Sequence, residues 1–390
     1  MKAGIACLVL AYVLSQFYRA FLAVMAPVLQ VDLGASAEDL AAASGLWFLI
    51  FAAMQLPVGA ALDRVGPRAT TAVLFGVGGA GGALLFAAAS GPLAIKLAMG
   101  LIGVGCSPVL MASYYIFARS YSPAVFGTLA GAVIGIGSLG NIASSLPLAL
   151  AVDAIGWRGS MLALAGLSFA VSLAIWGLVR DPARVTDAPK GSILDLLRMP
   201  ALWLILPLMM VGYMPSAALR GLWVGPYYTD VFGAESAQIG AVTLAMGLAM
   251  VLGNFAYGPL DRLLGTRKWL VLGGNTCALA CLAALWVAPT AGGVLTVVLL
   301  SGVGFFGASF PMLMAHGRAF FAPHMVGRGV TLLNLFGIGS VGVAQFITGR
   351  LHAGAENQPP EAAYTPLFAF FTLSLALGLL IYAFSRDRTD

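Results

Sequence analysis

The sequence predicts an all-α membrane protein of twelve transmembrane helices, arranged as two parallel repeats of six with both termini in the cytoplasm. Only 9% of its 390 residues are charged and 60% are hydrophobic, whereas a soluble domain carries roughly 25% charged residues. The mean hydropathy is +0.95. Its apolar runs reach about 20 residues or more, the length a helix needs to cross a bilayer.

Twelve such runs are separated by short polar segments or by glycine and proline. A transmembrane barrel is excluded, because its strands would alternate polar and apolar residues over about ten positions. Helices satisfy their own backbone hydrogen bonds in lipid, which makes them the expected alternative. The predicted spans are 4–29, 39–62, 69–90, 92–117, 124–150, 158–179, 200–228, 235–258, 269–288, 292–316, 327–350 and 364–384.

One polar segment near the middle divides the chain. Residues 180–199 contain Arg, Asp, Pro and Lys and separate the sixth predicted span from the seventh. We expect residues 1–179 to form an N-terminal six-helix bundle and residues 200–390 a C-terminal one. The segment between them is the predicted cytoplasmic linker.

The distribution of positive charge predicts the orientation. With the N-terminus in the cytoplasm, nearly all of the lysines and arginines in loops, tails and span ends fall on the inner side. Arg158 and Arg350 are the two on the outer side. Such a bias is typical of cytoplasmic loops, so the net charge of +5 indicates topology and not a nucleic-acid partner. We expect a multi-pass protein of a bacterial-type inner membrane.

Segments about 200 residues apart repeat in the same order along the two halves. Both halves begin on the same side of the membrane, so the repeats are parallel, as in transporters whose two halves are related by an axis along the membrane normal. The matched segments are Asp32 with Asp230, Asp63-Arg64 with Asp261-Arg262, residues 108–112 with 311–315, and residues 135–140 with 337–342.

Two loops of the repeat resemble the signature loop of the major facilitator superfamily. The first reads GAALDRVGPR at residues 59–68, and the second reads DRLLGTRK at 261–268 with one residue more. The resemblance covers essentially the whole chain. It implies a secondary transporter, not driven by ATP, that works by alternating access as a monomer with its site between the halves. It also implies a gating role for the charged loop residues Asp63, Arg64, Arg68, Asp261, Arg262 and Arg267.

Three basic residues, Arg19, Lys96 and Arg220, fall in the interior of the predicted spans, and every acidic residue is assigned to a loop, a tail or the first position of a span. A charge inside the bilayer costs on the order of a few kcal/mol and usually faces a cavity. Arg19 and Arg220 are nearly equivalent in the repeat. They lie on helices one and seven, which line the central cavity in this superfamily.

An anionic organic substrate is the natural partner of these two arginines, since the guanidinium fork donates paired hydrogen bonds to carboxylate or phosphate. Structural bonding to backbone carbonyls and snorkelling to the interface remain alternatives. Residues 18–27 also resemble helix one of the organic-anion and organophosphate branches of the superfamily. Further candidate substrate-binding residues are Tyr18, Gln55, Tyr114, Trp223 and Asn254.

His316 is the one histidine inside a predicted span and a candidate for proton coupling, because an unperturbed imidazole titrates near pH 6.5. Its neighbour Arg318 favours an alternative, in which His316 lies at the wet cytoplasmic end of its helix. If protons drive transport, His316 or the substrate must carry them. Uniport and anion exchange remain open.

Methionine pairs at helical spacing favour a different cargo, the copper(I) ion, which prefers thioether and imidazole ligands. Residues 219–228 also resemble the branch of the superfamily that holds bacterial copper and riboflavin importers, so a riboflavin-like or other neutral solute is a further alternative. Apolar packing explains the same methionines, and two cavity arginines would repel a copper ion. The candidate metal ligands are Met210, Met214, Met246, Met250, Met312 and His316.

The sequence does not predict an enzyme, because no nucleophile with a base, no metal cluster and no Walker motif is visible. We expect no cofactor. The expected partners are a small-molecule substrate and the lipid bilayer. A transport-dead membrane receptor or scaffold is the alternative outside the transporter class.

Overall fold

The structure, a computed structural model, describes residues 2–182, 196–322, 325–355 and 358–389, without the side chains of Lys2, Pro123, Ala124, Gly127 and Thr128. Every regular element within these ranges is helical and none is a strand, which confirms the all-α prediction. Most of the predicted linker, residues 183–195, lies outside the described residues.

The chain divides into two compact units. The first comprises Met1–Thr186 with Glu235–Ala241, and the second Asp187–Ala234 with Val242–Asp390. The division within the linker falls outside the described residues, so the predicted domain boundaries stay predictions.

In the first unit ten α-helices follow one another, with a π-helical segment, Phe75–Ala80, between the fifth and sixth. They are α1 Lys2–Tyr18, α2 Leu22–Leu33, α3 Ala37–Ala53, α4 Gln55–Arg64, α5 Pro67–Leu74, α6 Gly81–Ala87, α7 Pro92–Cys106, α8 Val109–Ser120, α9 Pro123–Ala143 and α10 Leu146–Leu178.

The helices of the remaining chain belong to the second unit, apart from the first turns of α14. A second π-helical segment, Leu219–Trp223, joins α12 to α13. The helices are α11 Pro200–Val211, α12 Met214–Ala218, α13 Val224–Phe232, α14 Ser236–Leu264, α15 Arg267–Val287, α16 Gly293–Phe306, α17 Phe310–Arg318, α18 Val326–Ala353 and α19 Pro360–Tyr382.

Nine helical stretches among the described residues are long and apolar enough to cross a bilayer, or up to eleven if each of two bent pairs forms one span. The bent pairs are α1 with α2, at 52°, and α3 with α4, at 41°. The apolar part of α9, Leu129–Ala143, is shorter. These findings establish a multi-pass helical membrane protein, while the count of twelve, the 6+6 layout and the orientation of the termini stay predictions.

Glycine contacts explain how α1 packs along α9 in the first unit. A Cβ atom on Gly140 would lie 1.9 Å from the carbonyl oxygen of Val13, and one on Gly137 would lie 2.4 Å from the ring of Tyr12. Larger residues at these positions would push the two helices apart. The glycine run in α9 therefore allows a close helix approach, as small residues do in membrane bundles.

Several helices extend beyond the predicted spans, so the expectation that acidic residues lie in loops or tails is wrong at helix ends, as at Asp32 in α2 and Asp230 in α13. Asp39 lies in the first turn of α3, where its carboxylate and the hydroxyl of Ser36 form a capping box. Nζ of Lys96 lies 2.6 Å from Oδ1 of Asp39. This ion pair joins α7 to α3 and gives Lys96 a structural partner.

Candidate functional site

Arg19 lies in the break between α1 and α2, the first helices of the first unit. The chain bends there by 52°. Around the break the backbone uses tighter hydrogen bonds, from the N–H of Ala20 to the carbonyl of Phe17 at 3.0 Å and from Val24 to Phe21 at 3.2 Å. The basic residue that the sequence places inside a span is therefore held where the helix is interrupted.

Two aromatic rings of α3 support the guanidinium of Arg19. Its Cζ atom lies 5.3 Å from the ring centroid of Trp47 and 5.5 Å from that of Phe51. The two rings are stacked, with centroids 5.0 Å apart and an angle of 13° between their planes. A cation near a ring face within about 6 Å is attracted to it, so these rings position the side chain without neutralising its charge.

The hydrogen-bonding capacity of Arg19 is not used up inside the described part of the protein. Its Nε atom is buried and has no hydrogen-bond partner there, and no ion pair of Arg19 is found among the described residues. The residue as a whole is half-buried. An acceptor that reaches this position would meet an arginine with donors still to satisfy.

Arg220 lies at the matching place in the second unit. It belongs to the π-helical segment Leu219–Trp223 and is 4% exposed. A Cβ atom on Gly247 of α14 would lie 3.1 Å from Nε and 3.3 Å from Nη2 of Arg220, so the absence of a side chain at Gly247 makes room for the guanidinium. Single-turn π-helical insertions are frequent at functional sites.

The two arginines thus share a local arrangement that the sequence repeat alone does not show. Each lies at an interruption of a long apolar helical stretch, α1 with α2 in the first unit and Pro200–Phe232 in the second. Each guanidinium packs against the next helical stretch, at Trp47 of α3 for Arg19 and at Gly247 of α14 for Arg220.

The other candidate substrate-binding residues are placed less uniformly. The Tyr18 hydroxyl lies 2.9 Å from Oγ of Ser168, so it joins α1 to α10. Gln55 donates to the carbonyl of Phe51 at 3.1 Å at the bend between α3 and α4.

The remaining three candidates differ in their surroundings. The ring of Tyr114 contacts the ring of Phe126, with centroids 5.8 Å apart. The indole of Trp223 donates a hydrogen bond of 2.9 Å to Thr348, and Asn254 is exposed.

Phe51 lies with Trp47 beside Arg19 and was not among the predicted site residues. Their spacing of four is a usable signal, because residues four apart share a helix face. Aromatic pairs of this spacing are common in apolar helices, so the sequence alone does not distinguish a cation support from ordinary packing.

His316 uses both ring nitrogens for contacts within the second unit. Nδ1 lies 2.7 Å from the hydroxyl of Tyr382, and Nε2 lies 3.0 Å from the carbonyl oxygen of Arg386. A neutral imidazole satisfies both, donating from Nε2 and accepting at Nδ1; this tautomer is assigned from the hydrogen-bond network. The ring joins α17 to the segment after α19, while its role in proton coupling remains an untested prediction.

The candidate metal ligands include residues already engaged in packing. The side chains of Met246 and Met250 would meet a Cβ on Gly304 at 3.2 and 3.0 Å. Both nitrogens of His316 are hydrogen-bonded, as described above. No group of three or more His, Cys, Asp or Glu that could hold a metal is found in the described ranges. Of the remaining members, Met214 and Met312 are buried and Met210 is half-buried.

The signature loop of the first unit connects α4 to α5. Oδ1 of Asp63 lies 3.6 Å from Nη2 of Arg119 at the end of α8. Cζ of Arg119 lies 3.5 Å from the ring centroid of Tyr115. Arg64 is exposed. Asp63 therefore links the loop to the end of another helix within the same unit.

Asp181, which follows α10, caps the start of α5. It accepts a hydrogen bond of 2.8 Å from the backbone N–H of Arg68. The guanidinium of Arg68 lies 5.5 Å from the ring centroid of Trp176. Gly66, just before α5, has φ +105°, and a Cβ there would lie 2.8 Å from the Asp181 carboxyl carbon. A glycine is required here for both reasons.

The signature loop of the second unit has comparable contacts. Nε of Arg267 lies 3.6 Å from Oδ2 of Asp261, and Nη1 of Arg267 donates to the carbonyl of Ala315 at 3.4 Å. Arg262 is exposed. The aspartate and arginine of this loop pair directly, whereas in the first unit the partner arginine comes from α8.

Asp387, which follows α19, caps α15 as Asp181 caps α5. It accepts hydrogen bonds from the hydroxyl of Thr266 and, at 3.0 Å, from the backbone N–H of Lys268. Burial raises the pKa of Asp387, but the hydrogen bonds from Thr266 and from the backbone N–H groups of Lys268 and Arg267 outweigh it and hold the pKa below its usual value. An anion at a helix N-terminus also interacts favourably with the helix dipole.

Asp181 and Asp387 were not predicted as site residues, although the sequence contains a signal for them. An Arg-Asp dipeptide occurs directly after the sixth predicted span and again after the twelfth, at residues 180–181 and 386–387. Only the structure shows that these carboxylates meet the signature loops.

Comparison with known proteins identifies the family to which these features belong. A family model described as Major Facilitator Superfamily matches residues 8–344. The chain belongs to the major facilitator superfamily. It is therefore a membrane transporter of the secondary type, and the resemblance of its loops is confirmed.

Solved structures of this superfamily share the fold of the chain. A point mutant of the nucleoside transporter NupG matches with a TM-score of 0.78 and 14% identity, over 98% of this chain and 99% of NupG. A bacterial homologue of the human lysosomal transporter Spinster, in an inward-facing and occupied conformation, matches with a TM-score of 0.73 and 17% identity over 98% and 96%. A D-xylose–proton symporter matches with a TM-score of 0.74 and 14% identity, over 99% of this chain and 98% of the symporter.

Among curated proteins, a stretch of 141 residues is 29% identical to AraJ of Escherichia coli (strain K12), which is named as a transporter provisionally. The match spans 35% of this chain and 35% of AraJ. The chain thus matches about a third of the length of this relative, and nothing about the cargo follows from it.

Proposed function

We propose that this protein transports an anionic organic solute and that Arg19 and Arg220 bind it. The observation that carries the proposal is the state of Arg19. It is held by Trp47 and Phe51 at a helix break, and its Nε is buried without a hydrogen-bond partner among the described residues. A charged guanidinium whose Nε is buried without a hydrogen-bond partner costs free energy. An anionic ligand would offset that cost.

Arg220 supports the same proposal from the second unit. Its burial is nearly complete, and its guanidinium packs against Gly247, where the absence of a side chain makes room for it. Arginine is suited to carboxylate and phosphate because its fork donates two parallel hydrogen bonds. We propose that both arginines act on one substrate during alternating access, each contributed by its own repeat.

We further propose an inner membrane of bacterial type, cytoplasmic termini and a monomeric state. The concentration of Lys and Arg on one side of the predicted topology supports the orientation. The two six-helix halves, residues 1–179 and 200–390, stay part of the proposal.

Copper import is not favoured. Met246 and Met250 lie against Gly304, and His316 bonds Tyr382 and Arg386, so these candidate ligands have structural neighbours already. The nucleoside transporter and the D-xylose–proton symporter are named for neutral solutes. Transport of a neutral solute by this protein is an outcome that the test below detects.

Thermal-shift binding measurements on the purified protein test the proposal. The panel contains mono- and dicarboxylates, organophosphates, a nucleoside, D-xylose, riboflavin and copper(I), each with the wild type and with Arg19→Ala and Arg220→Ala. A ligand at about 100 times its Kd adds roughly 2.7 kcal/mol of stability. We expect one class of anion to stabilise the wild type and neither arginine variant.

Lys96→Gln is the matched control, because it removes another basic residue of the apolar segments that is paired with Asp39. It should bind the anion as the wild type does, although its own stability is lower. If an anion stabilises the two arginine variants as much as the wild type, or if only a neutral solute or copper stabilises all of them, the proposed function is wrong.

A further inference from the structure

A histidine and a carboxylate meet at the end of the second unit where α13 and α18 end and α19 begins. Nε2 of His352 in the last turn of α18 lies 3.9 Å from Oδ2 of Asp230 in α13. The hydroxyl of Tyr364 in the first turns of α19 donates to the same oxygen of Asp230. His352 is 8% exposed, whereas the side chain of Asp230 is 33% exposed. The pair is therefore accessible from outside the protein through the carboxylate of Asp230.

His352 also contacts the π-helical segment that holds Arg220. Its ring centroid lies 5.3 Å from that of Trp223, with an angle of 36° between the planes. Trp223 is fully buried, and its indole donates to Thr348 on the turn of α18 before His352. Trp223 follows Arg220 by three residues, so it lies one turn further along the same helical stretch.

The groups that face His352 make it a place where a proton can be held. Asp230 from α13 is paired with it at 3.9 Å, and Tyr364 from α19 lies with its ring centroid 5.0 Å from that of His352. Tyr227 of α13 contacts Tyr364 in turn, and Arg350 lies two residues earlier on α18. A protonated imidazole gains from the carboxylate and from the face of Trp223.

The first unit contains the same arrangement without a histidine. Asp32 at the end of α2 accepts a hydrogen bond of 2.8 Å from the indole of Trp157, as Asp230 accepts one from Tyr364. Position 32 matches position 230 in the sequence repeat, and no histidine is present anywhere in residues 1–315. The carboxylate with its aromatic donor is therefore shared by both repeats, and the imidazole is an addition in one of them.

We propose that His352 is the proton-binding site of this transporter, with Asp230 as its counter-ion, and that its protonation is transmitted through Trp223 to Arg220. The coupling step rests on the proposed function, since it requires that Arg220 bind the substrate. In the proposed orientation this end of the second unit faces the outside, so the site can load a proton there. The protein would then be a proton symporter of an anion.

Proton binding can be tested without any substrate, through the fluorescence of Trp223. An imidazolium quenches a neighbouring indole more strongly than a neutral imidazole does. Trp223 is one of seven tryptophans, so the difference between the wild type and Trp223→Phe isolates its signal. The purified full chain in lipid nanodiscs is titrated from pH 8 to pH 5, and we expect this difference signal to fall along a single-proton curve.

His352→Gln should abolish the curve, and Asp230→Asn should move it to lower pH because the imidazolium loses its counter-ion. Asp32→Asn, the matched change in the first unit, should leave it unchanged. A curve that persists in His352→Gln, or that Asp32→Asn alters as Asp230→Asn does, contradicts the proposal. If His352→Gln does not fold, Asp230→Asn decides: an unchanged midpoint there overturns it.

Coupling is then tested in proteoliposomes with the anion that the binding screen identifies. His352→Gln should lose accumulation driven by an inward proton gradient by at least tenfold, yet retain exchange of labelled for unlabelled solute. Retained gradient-driven accumulation contradicts the coupling. Because the fluorescence titration uses no solute, a failure to find an anionic substrate and a failure of the proton site give separate results.

Discussion

The indole Nε1 of Trp157 donates a hydrogen bond of 2.8 Å to Oδ2 of Asp32, joining the end of α2 to a bend inside α10. The bend lies at Gly156, whose φ of +73° is not helical. The 33 residues of α10 therefore comprise two helices, and the predicted spans 124–150 and 158–179 lie on either side of the bend. A positive φ at this position favours glycine, and the indole that follows it is directed to the carboxylate.

Replacement of Trp157 by Phe should destabilise the protein by about 1.5–3 kcal/mol, the usual contribution of a hydrogen bond to a charged group. The phenyl ring keeps part of the aromatic packing, so the loss combines the missing N–H with the contacts of the larger indole. The midpoint of thermal unfolding in detergent provides the measurement. Trp203→Phe is the control, because Trp203 is largely exposed and should change the midpoint little. Equal shifts for the two variants would contradict this prediction.

Gly140→Ala should separate α1 from α9. The added Cβ would lie 1.9 Å from the carbonyl oxygen of Val13, which is backbone and cannot move aside without shifting the helix. Overpacking of this kind costs roughly 1–3 kcal/mol or more. Gly131→Ala on the same helix is the matched control, since its Cβ would meet nothing within 4 Å. Thermal unfolding of both variants checks the prediction, which fails if Gly140→Ala is as stable as Gly131→Ala.

Trp47→Leu should weaken binding of the anion identified by the screen. The substitution removes the larger of the two ring faces beside Arg19 while it keeps an apolar side chain, and a cation–π contact contributes about 0.5–2 kcal/mol. The expected loss of affinity is therefore about 2- to 30-fold. Isothermal titration of the wild type and the variant gives the value. Trp286→Leu, in α15 of the other unit, should leave the affinity unchanged; a matching loss there would mean that the effect is general.

Stability should fall on acidification as Asp387 becomes protonated. Its pKa in the folded protein is held below the value near 3.9 of an unfolded chain. The stabilisation it provides is therefore fully present above about pH 4 and is lost as the pH falls through the lower folded pKa. Asp387→Asn should unfold at a lower temperature than the wild type at pH 6, and the difference should shrink toward pH 3. The exposed Asp153, changed to Asn, should show no such pH-dependent difference.

His316→Gln should loosen the segment after α19. Nε2 of His316 binds the carbonyl of Arg386, so its loss should expose the bonds after Arg386 and Arg388 to trypsin and speed cleavage several-fold. Tyr382→Phe removes the hydroxyl at Nδ1 but leaves the Arg386 contact, and should have a smaller effect. Mass spectrometry of timed digests provides the measurement. Cleavage at the wild-type rate in His316→Gln would show that this contact does not hold the segment.

The helical membrane fold could be predicted because the bilayer imposes a simple rule on composition. Runs of apolar residues long enough to cross it must be helices, and the signature loops, repeated as DR motifs at residues 63–64 and 261–262, narrowed the fold to one superfamily. The predicted ends of the helices were less accurate than the prediction that the helices exist. The eleventh predicted span ended at residue 350, two residues before His352, whereas α18 continues to Ala353.

Candidate site residues could be proposed from the sequence only where charge itself was the signal. Arg19 and Arg220 are conspicuous because a charged side chain inside an apolar run is energetically costly and usually has a partner or a function. Phe51, Asp181 and Asp387 are ordinary in sequence, since aromatic residues are frequent in membrane helices and aspartates are frequent after them. Their significance depends on what lies across from them, which local composition does not encode.

The sequence by itself determined that this protein is helical, crosses the membrane repeatedly and carries paired arginines in two repeated halves, because these properties follow from composition, period and repetition. Only the tertiary structure decided which groups those charges meet. It placed Arg19 on two stacked rings and Arg220 in a π-helical segment, and it placed His352 beside Asp230, 122 residues away in the chain. Contacts between distant helices arise from packing that depends on many side chains at once, so their partners become visible only when the helices are assembled.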